Sequence, residues 1–143
     1  AIFAKAGLER LELAGSYFQE LKWMIPAPAQ GAIGIVCRVN ENELIKQLQK
    51  INHQLTRLCT DIERDFLRIL EGGCSAPIGA YAGIVRDKIQ FKGGIFSLDG
   101  QIAATTFKEV LIDDGKNLAA QAAEEVWSKG GHQIMRTIKS SKE

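Results

Sequence analysis

The sequence has almost no excess of either charge. Its 18 Lys and Arg side chains stand against 17 Asp and Glu, which leaves a net charge of +1 in 143 residues. Proteins that bind nucleic acid usually concentrate basic side chains on one face. The balance therefore argues against a nucleic-acid partner.

Cysteine and long apolar runs are also scarce. The cysteines Cys37, Cys59 and Cys74 are odd in number and form no Cys-x-x-Cys pair, so the sequence predicts neither a disulfide framework nor a metal site. No apolar run approaches the roughly 18 residues that span a bilayer, and the first residues lack the pattern of a signal peptide. We therefore expect a cytoplasmic protein with no membrane partner.

The sequence does contain a long helical repeat. Apolar residues recur at steps of three or four over residues 44–69, which indicates one amphipathic helix, or two helices divided near Asn52 and His53. Asn40 and Glu43 are spaced as a capping box at its start. Gly72 and Gly73 are suited to end it, because glycine adopts the left-handed conformation that terminates helices.

Three strands and a last helix are predicted after this repeat, with the strands at residues 80–85, 89–98 and 101–110. Asp99-Gly100 is typical of a tight hairpin whose central residues both need positive φ. Asp113-Asp114 offers N-caps to a helix that Gly130-Gly131 would end. The predicted fold class is α+β: a three-stranded antiparallel sheet with helices packed on one face, in the order α-α-β-β-β-α.

The first part of the sequence is predicted to be extended. Residues 2–4 and 32–38 are rich in β-branched and aromatic side chains and are interpreted as strands, and two prolines exclude a regular helix over residues 26–30. The sequence opens without methionine on what is interpreted as half of a buried strand. We therefore expect a piece of a longer protein, whose unpaired strands favour self-association.

A glycine-rich loop holds the most distinctive cysteine. The run Leu70-Glu71-Gly72-Gly73-Cys74-Ser75-Ala76-Pro77 joins the helical repeat to the first predicted strand. By composition alone, Cys74 fits a small buried residue or an ordinary loop thiol. However, two glycines allow a bulky group to approach the backbone and Pro77 stiffens the loop, which favours an attachment point.

Three further runs accompany this loop: Ile25-Pro26-Ala27-Pro28-Ala29-Gln30-Gly31-Ala32, Ile51-Asn52-His53 and Glu63-Arg64-Asp65-Phe66-Leu67. In this order, the four runs resemble the C-terminal part of the porphobilinogen deaminase (hydroxymethylbilane synthase) family, over about residues 1–104. The resemblance implies a transferase of haem biosynthesis that condenses four porphobilinogen molecules into hydroxymethylbilane and releases ammonia. It also implies that residues 1–39 are a remnant of the N-terminal and central domains, and residues 40–143 the C-terminal cofactor-anchoring domain.

The same resemblance implies a cofactor site. Cys74 would carry a dipyrromethane cofactor through a thioether, with Gly73, Gln30 and Gly31 beside it. A sulfur nucleophile suits this role, because loss of ammonia from porphobilinogen leaves an electrophilic carbon. Judged by itself, Gln30 is a linker residue whose amide bonds to nearby backbone.

The resemblance places the catalytic residues, and the basic side chains that would bind the carboxylates of the growing pyrrole chain, in missing N-terminal domains. We therefore expect the 143 residues alone to be inactive and free of cofactor.

Other polar residues have simpler interpretations. His53 and His132 have no partner at ligand spacing and are predicted to be structural, and residues 63–65 with Arg68 are predicted to form the solvated face of a helix. The alternative function is a non-catalytic small-molecule or protein-interaction domain, since an α+β fold does not determine function.

Overall fold

A computed structural model describes residues 1–13, 15, 17–71 and 76–141. Its elements are α1 (Lys5–Arg10), α2 (Asn42–Gln49), α3 (Gln54–Ile69), β1 (Ile78–Val85), β2 (Lys88–Phe96), β3 (Ala103–Leu111), a 3-10 turn (Ile112–Asn117), α4 (Leu118–Val126), a π-helical turn (Trp127–Gly131) and α5 (His132–Ser140).

The three strands form one antiparallel sheet in the order β1-β2-β3. Strand residues alternate between its two faces, and the buried ones, apart from Gly79 and Gly94, share the face that α3, α4 and α5 cover. Ala80, Ala82, Ile89, Phe91 and Ile95 line that inner face. The predicted α+β class, with helices on one face of a three-stranded sheet, is confirmed.

The centre of the core is an aromatic contact between α3 and β2. Phe66 and Phe91 are both fully buried and meet edge to face, with ring centroids 5.0 Å apart. Gly93 makes room for them: a Cβ atom there would lie 2.8 Å from Cζ of Phe66. The missing side chain of Gly93 therefore lets α3 approach the sheet closely.

The helical repeat is divided in two, at the break that the sequence left open. His53 is the N-cap of α3, and its Nδ1 accepts the Thr56 N–H at 3.2 Å. The predicted capping box of Asn40 and Glu43 is wrong: the N-cap of α2 is Glu41, and it makes no side-chain cap bond. The start of α2 consequently depends on its backbone and not on a polar side chain.

Two predicted strands are absent. Residues 2–4 and 32–38 are not in a sheet, and β1, β2 and β3 are the only strands in the part of the chain that the structure describes. A strand needs a neighbour to bond its main chain, and no described strand lies beside either run. Strand-like composition alone was therefore insufficient to predict a strand at either run.

The end of the chain and the second hairpin also differ from prediction. Gly130 has a φ of 97°, which is not helical, so the helix that begins at Leu118 ends at this kink as predicted; the separate helix α5, which runs to Ser140 with Ile134, Met135 and Ile138 buried, was not predicted. In the turn between β2 and β3 only Gly100 has positive φ, at 71°, and Asp99 does not. That turn is longer than the predicted two-residue hairpin, because β3 begins at Ala103.

Candidate functional site

Residues 25–32 lie along the free edge of β1, the strand that opens the sheet. The Pro26 carbonyl accepts the Ala80 N–H at 2.9 Å, and Ile25 covers Gly79 so closely that a Cβ there would lie 2.9 Å from the Ile25 carbonyl oxygen. An edge strand presents unpaired N–H groups, and this segment satisfies one of them. The N-terminal part of the chain is thereby docked on the domain that carries the sheet.

Glu63 makes the second junction between the two parts. One carboxylate oxygen accepts the Ala29 N–H at 2.6 Å and the other accepts the Ala82 N–H at 2.7 Å. The residue is 5% exposed, so its predicted place on the solvated face of the helix is wrong. Arg64 and Arg68 are exposed as predicted.

A signal for Glu63 was present in the sequence. Cys59, Glu63, Phe66 and Leu70 are spaced at four, three and four residues and form one stripe of α3. All four are buried. A charged residue inside an apolar stripe indicates a buried carboxylate with dedicated donors.

A cleft of about 360 Å³ opens beside this junction. Its walls come from residues 26–32, the first half of α3 and the second half of β1, and include Gln30, Gly31, Thr56, Cys59 and Tyr81. Burial raises the pKa of the Cys59 thiol, and the Glu63 carboxylate raises it further. Cys59 is therefore a protonated wall residue and not an activated nucleophile.

Gln30 and Gly31 lie in a turn at the mouth of this cleft. The side-chain oxygen of Gln30 accepts the Ala27 N–H at 3.1 Å, as its interpretation as a linker residue predicted. Ala29 and Gly31 have positive φ, 58° and 82°, and Ala32 N–H bonds back to the Ala29 carbonyl at 3.2 Å. The oxygen of Gln30 is thus used within the turn, which leaves its NH₂ group for a ligand.

Cys74 and Gly73 lie outside the described residues, but the residues on both sides of their loop are described, and each side contacts the rest of the domain. Leu70 on one side is fully buried, and Ile78 on the other is 6% exposed. The Pro77 carbonyl accepts the Phe96 N–H at 2.9 Å, and Glu71 forms an ion pair with Lys139 at 2.9 Å, which lowers the pKa of Glu71. The short segment that holds Cys74 therefore starts and ends at fixed points of the core.

Charge distinguishes the cleft from a binding site for carboxylates. None of its described wall residues is Lys or Arg, and its buried ionisable side chain, Glu63, is acidic. In the part of the chain that the structure describes, no group of three or more His, Cys, Asp or Glu is arranged to hold a metal ion. Likewise, no helix of the described ranges is long and apolar enough to cross a membrane.

Two family models match the chain. Residues 57–127 match "Porphobilinogen deaminase, C-terminal domain", and residues 1–46 match "Porphobilinogen deaminase, dipyromethane cofactor binding domain". The first match includes α3, the sheet and α4, and the second includes the docked turn with Gln30 and Gly31.

Curated relatives agree with these models. The chain is 34% identical over 140 residues to a porphobilinogen deaminase of Carboxydothermus hydrogenoformans, covering 96% of this chain and 45% of the relative. A porphobilinogen deaminase of Campylobacter hominis is 39% identical over 139 residues, with 94% and 45% covered. A chloroplastic one of Oryza sativa subsp. japonica is 37% identical over 139 residues, with 91% and 38% covered. The chain therefore spans less than half the length of these relatives.

Proposed function

Because the chain belongs to the porphobilinogen deaminase family, we propose that it forms the cofactor-anchoring part of a transferase that condenses four porphobilinogen molecules into hydroxymethylbilane with release of ammonia. The observation that carries the proposal is the match of residues 1–46 and 57–127 to two domain models of this family, and Leu70 and Ile78, on either side of the segment that holds Cys74, are both buried. We also take residues 1–39 as belonging to the preceding domains and 40–143 as the anchoring domain; the separate family matches, to residues 1–46 and 57–127, support a division of the chain but not this exact boundary.

Cys74 is the proposed attachment point of a dipyrromethane cofactor. The group supplies a covalently held pyrrole that primes chain growth. A tether is useful only if its base is held, and the residues on either side of segment 72–75 are held by the burial of Leu70 and Ile78 and by the hydrogen bond from Phe96 to Pro77. The other two cysteines are less suitable: Cys59 is buried with a raised pKa, and Cys37 lies outside the family's glycine-rich motif.

Gln30, Gly31 and Gly73 are the proposed neighbours of the cofactor. The NH₂ group of Gln30 can donate a hydrogen bond to a carboxylate or to the face of a pyrrole ring. Gly31, with no Cβ and a φ of 82°, allows a ring to approach its main chain. The match of residues 1–46 to a cofactor-binding domain supports this assignment.

The cleft itself fits the cofactor only in part. Pyrroles of this pathway carry acetate and propionate groups, which bind to arginine and lysine. The described wall of the cleft has neither and instead holds Glu63. Substrate carboxylates consequently need basic residues from outside this cleft, which the family resemblance assigns to other domains, and we expect the chain alone to release no ammonia from porphobilinogen and to carry no cofactor.

A chimera tests the assignment of Cys74. These 143 residues would replace the matching part of the Carboxydothermus hydrogenoformans relative, and the product would be assayed with an aldehyde reagent for pyrroles and by mass spectrometry of the peptide that contains Cys74. We expect a pyrrole adduct on that peptide, lost in Cys74→Ser and kept in the control Cys37→Ser. An adduct that persists in Cys74→Ser contradicts the proposal. Absence of any adduct, with the chimera folded, favours the non-catalytic alternative.

A further inference from the structure

The buried carboxylate of Glu63 has no role in the function proposed so far. It forms no ion pair with any residue that the structure describes, although only 5% of the residue is exposed. Its two oxygens accept main-chain N–H groups from Ala29 and Ala82 at 2.6 and 2.7 Å. These donors lie 34 and 19 residues away from Glu63 in sequence, so the side chain joins three separate segments.

Burying a carboxylate without an ion pair costs free energy, and other interactions must offset that cost. A carboxylate removed from water loses its hydration, and hydrogen bonds from N–H groups to a charged oxygen are among the strongest that can replace it. An apolar residue on α3 would fill the same space without that cost, but it would leave two N–H groups without an acceptor. The two N–H groups therefore require the carboxylate of Glu63, whereas the packing of the core alone does not.

The segment that Glu63 binds is otherwise weakly held. Ala29 has positive φ, which is unfavourable for a residue with a side chain. Pro26 contributes one hydrogen bond to Ala80, and Ile25 packs over Gly79. The contact between Glu63 and Ala29 is the one that fixes the far end of the docked segment, where Gln30 and Gly31 follow directly.

We propose that Glu63 is a positioning residue, which holds the turn at residues 27–32 against β1 and so sets the place of Gln30 relative to the sheet. Ala82 lies in β1, the strand that follows Cys74 in sequence. Glu63 thus aligns two parts of the chain that match separate family models. That this turn borders a cofactor rests on the proposed function, whereas the docking of the turn does not.

Amide hydrogen exchange, read residue by residue by NMR on the 143-residue chain, tests the docking. In Glu63→Gln one oxygen remains as an acceptor, and the new NH₂ group faces the other N–H. We expect the amide of Ala29, Ala82 or both to exchange about tenfold faster or more, since a bond to a charged acceptor is lost. Amides of Ile89 and Phe91 in the core should keep their rates. The matched control is Asp65→Asn, which removes a partly exposed charge two residues along α3.

The outcomes separate the possibilities. Unchanged exchange at Ala29 and Ala82 overturns the proposal, and an equal loss of protection at Ile89 and Phe91 overturns it too, because Glu63 would then support the whole fold. If Glu63→Gln does not fold, the unsubstituted chain still provides a test. Its Ala29 amide must exchange more slowly than that of Gly34, which has no hydrogen-bond acceptor among the described residues. Equal rates overturn the proposal.

A second measurement, made on the chimera, tests whether Glu63 positions the turn for catalysis. Glu63→Gln is expected to retain the pyrrole adduct on Cys74 while kcat for bilane formation falls about tenfold or more, because misplacing a binding group is costly even when it is present. An unaltered kcat overturns the positioning role. An unsubstituted chimera without any adduct contradicts the proposed function alone, since the exchange experiment does not involve the cofactor.

Discussion

The described residues before 54 and those from 54 onward differ completely in burial. No described residue of the first group is buried, whereas the entire core, with Phe66, Leu70 and Phe91 at its centre, lies in the second. Helices α2 and α3 make the contrast clear, because both carry apolar stripes. Leu44 of α2 is 44% exposed, while Phe66 of α3 is fully buried. An amphipathic pattern therefore predicts a helix, but burial also requires a facing surface, which only α3 has.

Truncating a side chain in each helix should give the largest difference. Phe66→Ala removes one ring of the aromatic contact with Phe91 and is expected to lower the free energy of unfolding by about 3–5 kcal/mol. Leu44→Ala on α2 should change it by no more than about 0.5 kcal/mol. Urea titration of both variants measures the two values. Equal losses would mean that α2 packs against the core in solution, and the contrast between the helices would fail.

Adding a methyl group to a glycine in each region should give a smaller difference. Gly93→Ala places a Cβ 2.8 Å from the rings of Phe66 and Phe91, and overpacking of this kind costs about 1–3 kcal/mol. Gly34→Ala is the matched control, because a Cβ there meets nothing within 4 Å. Thermal melts should show a lower midpoint for Gly93→Ala alone. A similar drop for Gly34→Ala would contradict the open surroundings of residue 34.

Acid should affect the second region through Glu125, which contacts Lys108 at 2.5 Å and Lys129 at 2.6 Å. Hydrogen bonds to these lysines lower the pKa of Glu125 from 4.5 to about 2. A folded-state pKa below the unfolded value contributes stability that is complete above about pH 4.5 and disappears as the pH falls towards 2. Because the pair is partly exposed, we expect at most about 1 kcal/mol.

Glu125→Gln should remove this part of the pH dependence of unfolding. Lys5 likewise lowers the pKa of Glu20 in the first region, but Glu20→Gln should not alter global unfolding, because none of the residues described in that region is buried. Denaturant titrations at pH 5 and pH 3 compare the two variants with the unsubstituted chain. A pH dependence that survives in Glu125→Gln assigns the effect to other carboxylates.

The smallest expected effect is on self-association of the chain, through exposed apolar residues of the first region. Ile33 and Val36 are each 95% exposed, and Trp23 is 78% exposed. Apolar side chains in such number favour contact with a second copy, so we expect the apparent mass from light scattering to rise with concentration. Ile33→Ser together with Val36→Ser should reduce that rise without a change in unfolding. A strictly monomeric particle in which residues 33–36 are protected from exchange would instead indicate repacking onto the same chain.

Much of the second region was predictable because its signals are local. The strands begin and end within a few residues of their predicted bounds. Helix bounds were less predictable: Gly130 has the positive φ of a helix end, yet the stripe of Ile134, Met135 and Ile138 continues the chain as α5. The apolar spacing of these three residues was the signal that the sequence interpretation missed.

The candidate site was predictable only in outline. Cys74, Gly73, Gln30 and Gly31 came from the resemblance, and they remain predictions. Glu63 was assigned to solvent, because charged residues are rarely buried. Its true environment depends on Ala29 and Ala82, whose N–H groups come from distant parts of the chain. The apolar stripe could have indicated that Glu63 is buried, but no periodicity within α3 identifies the N–H groups that it binds.

The sequence by itself determined the fold class, the order of helices and strands from α2 to α4 and the family resemblance. These properties follow from spacing within short stretches, and spacing reflects the 3.6-residue turn of a helix and the two-residue repeat of a strand. Only the tertiary structure decided which N–H groups Glu63 binds, that α2 is exposed, that residues 25–32 dock on β1 and that residues 32–38 do not form a strand. Each of these depends on whether a surface or a hydrogen-bond donor from a distant segment is present, and that is settled when the chain packs.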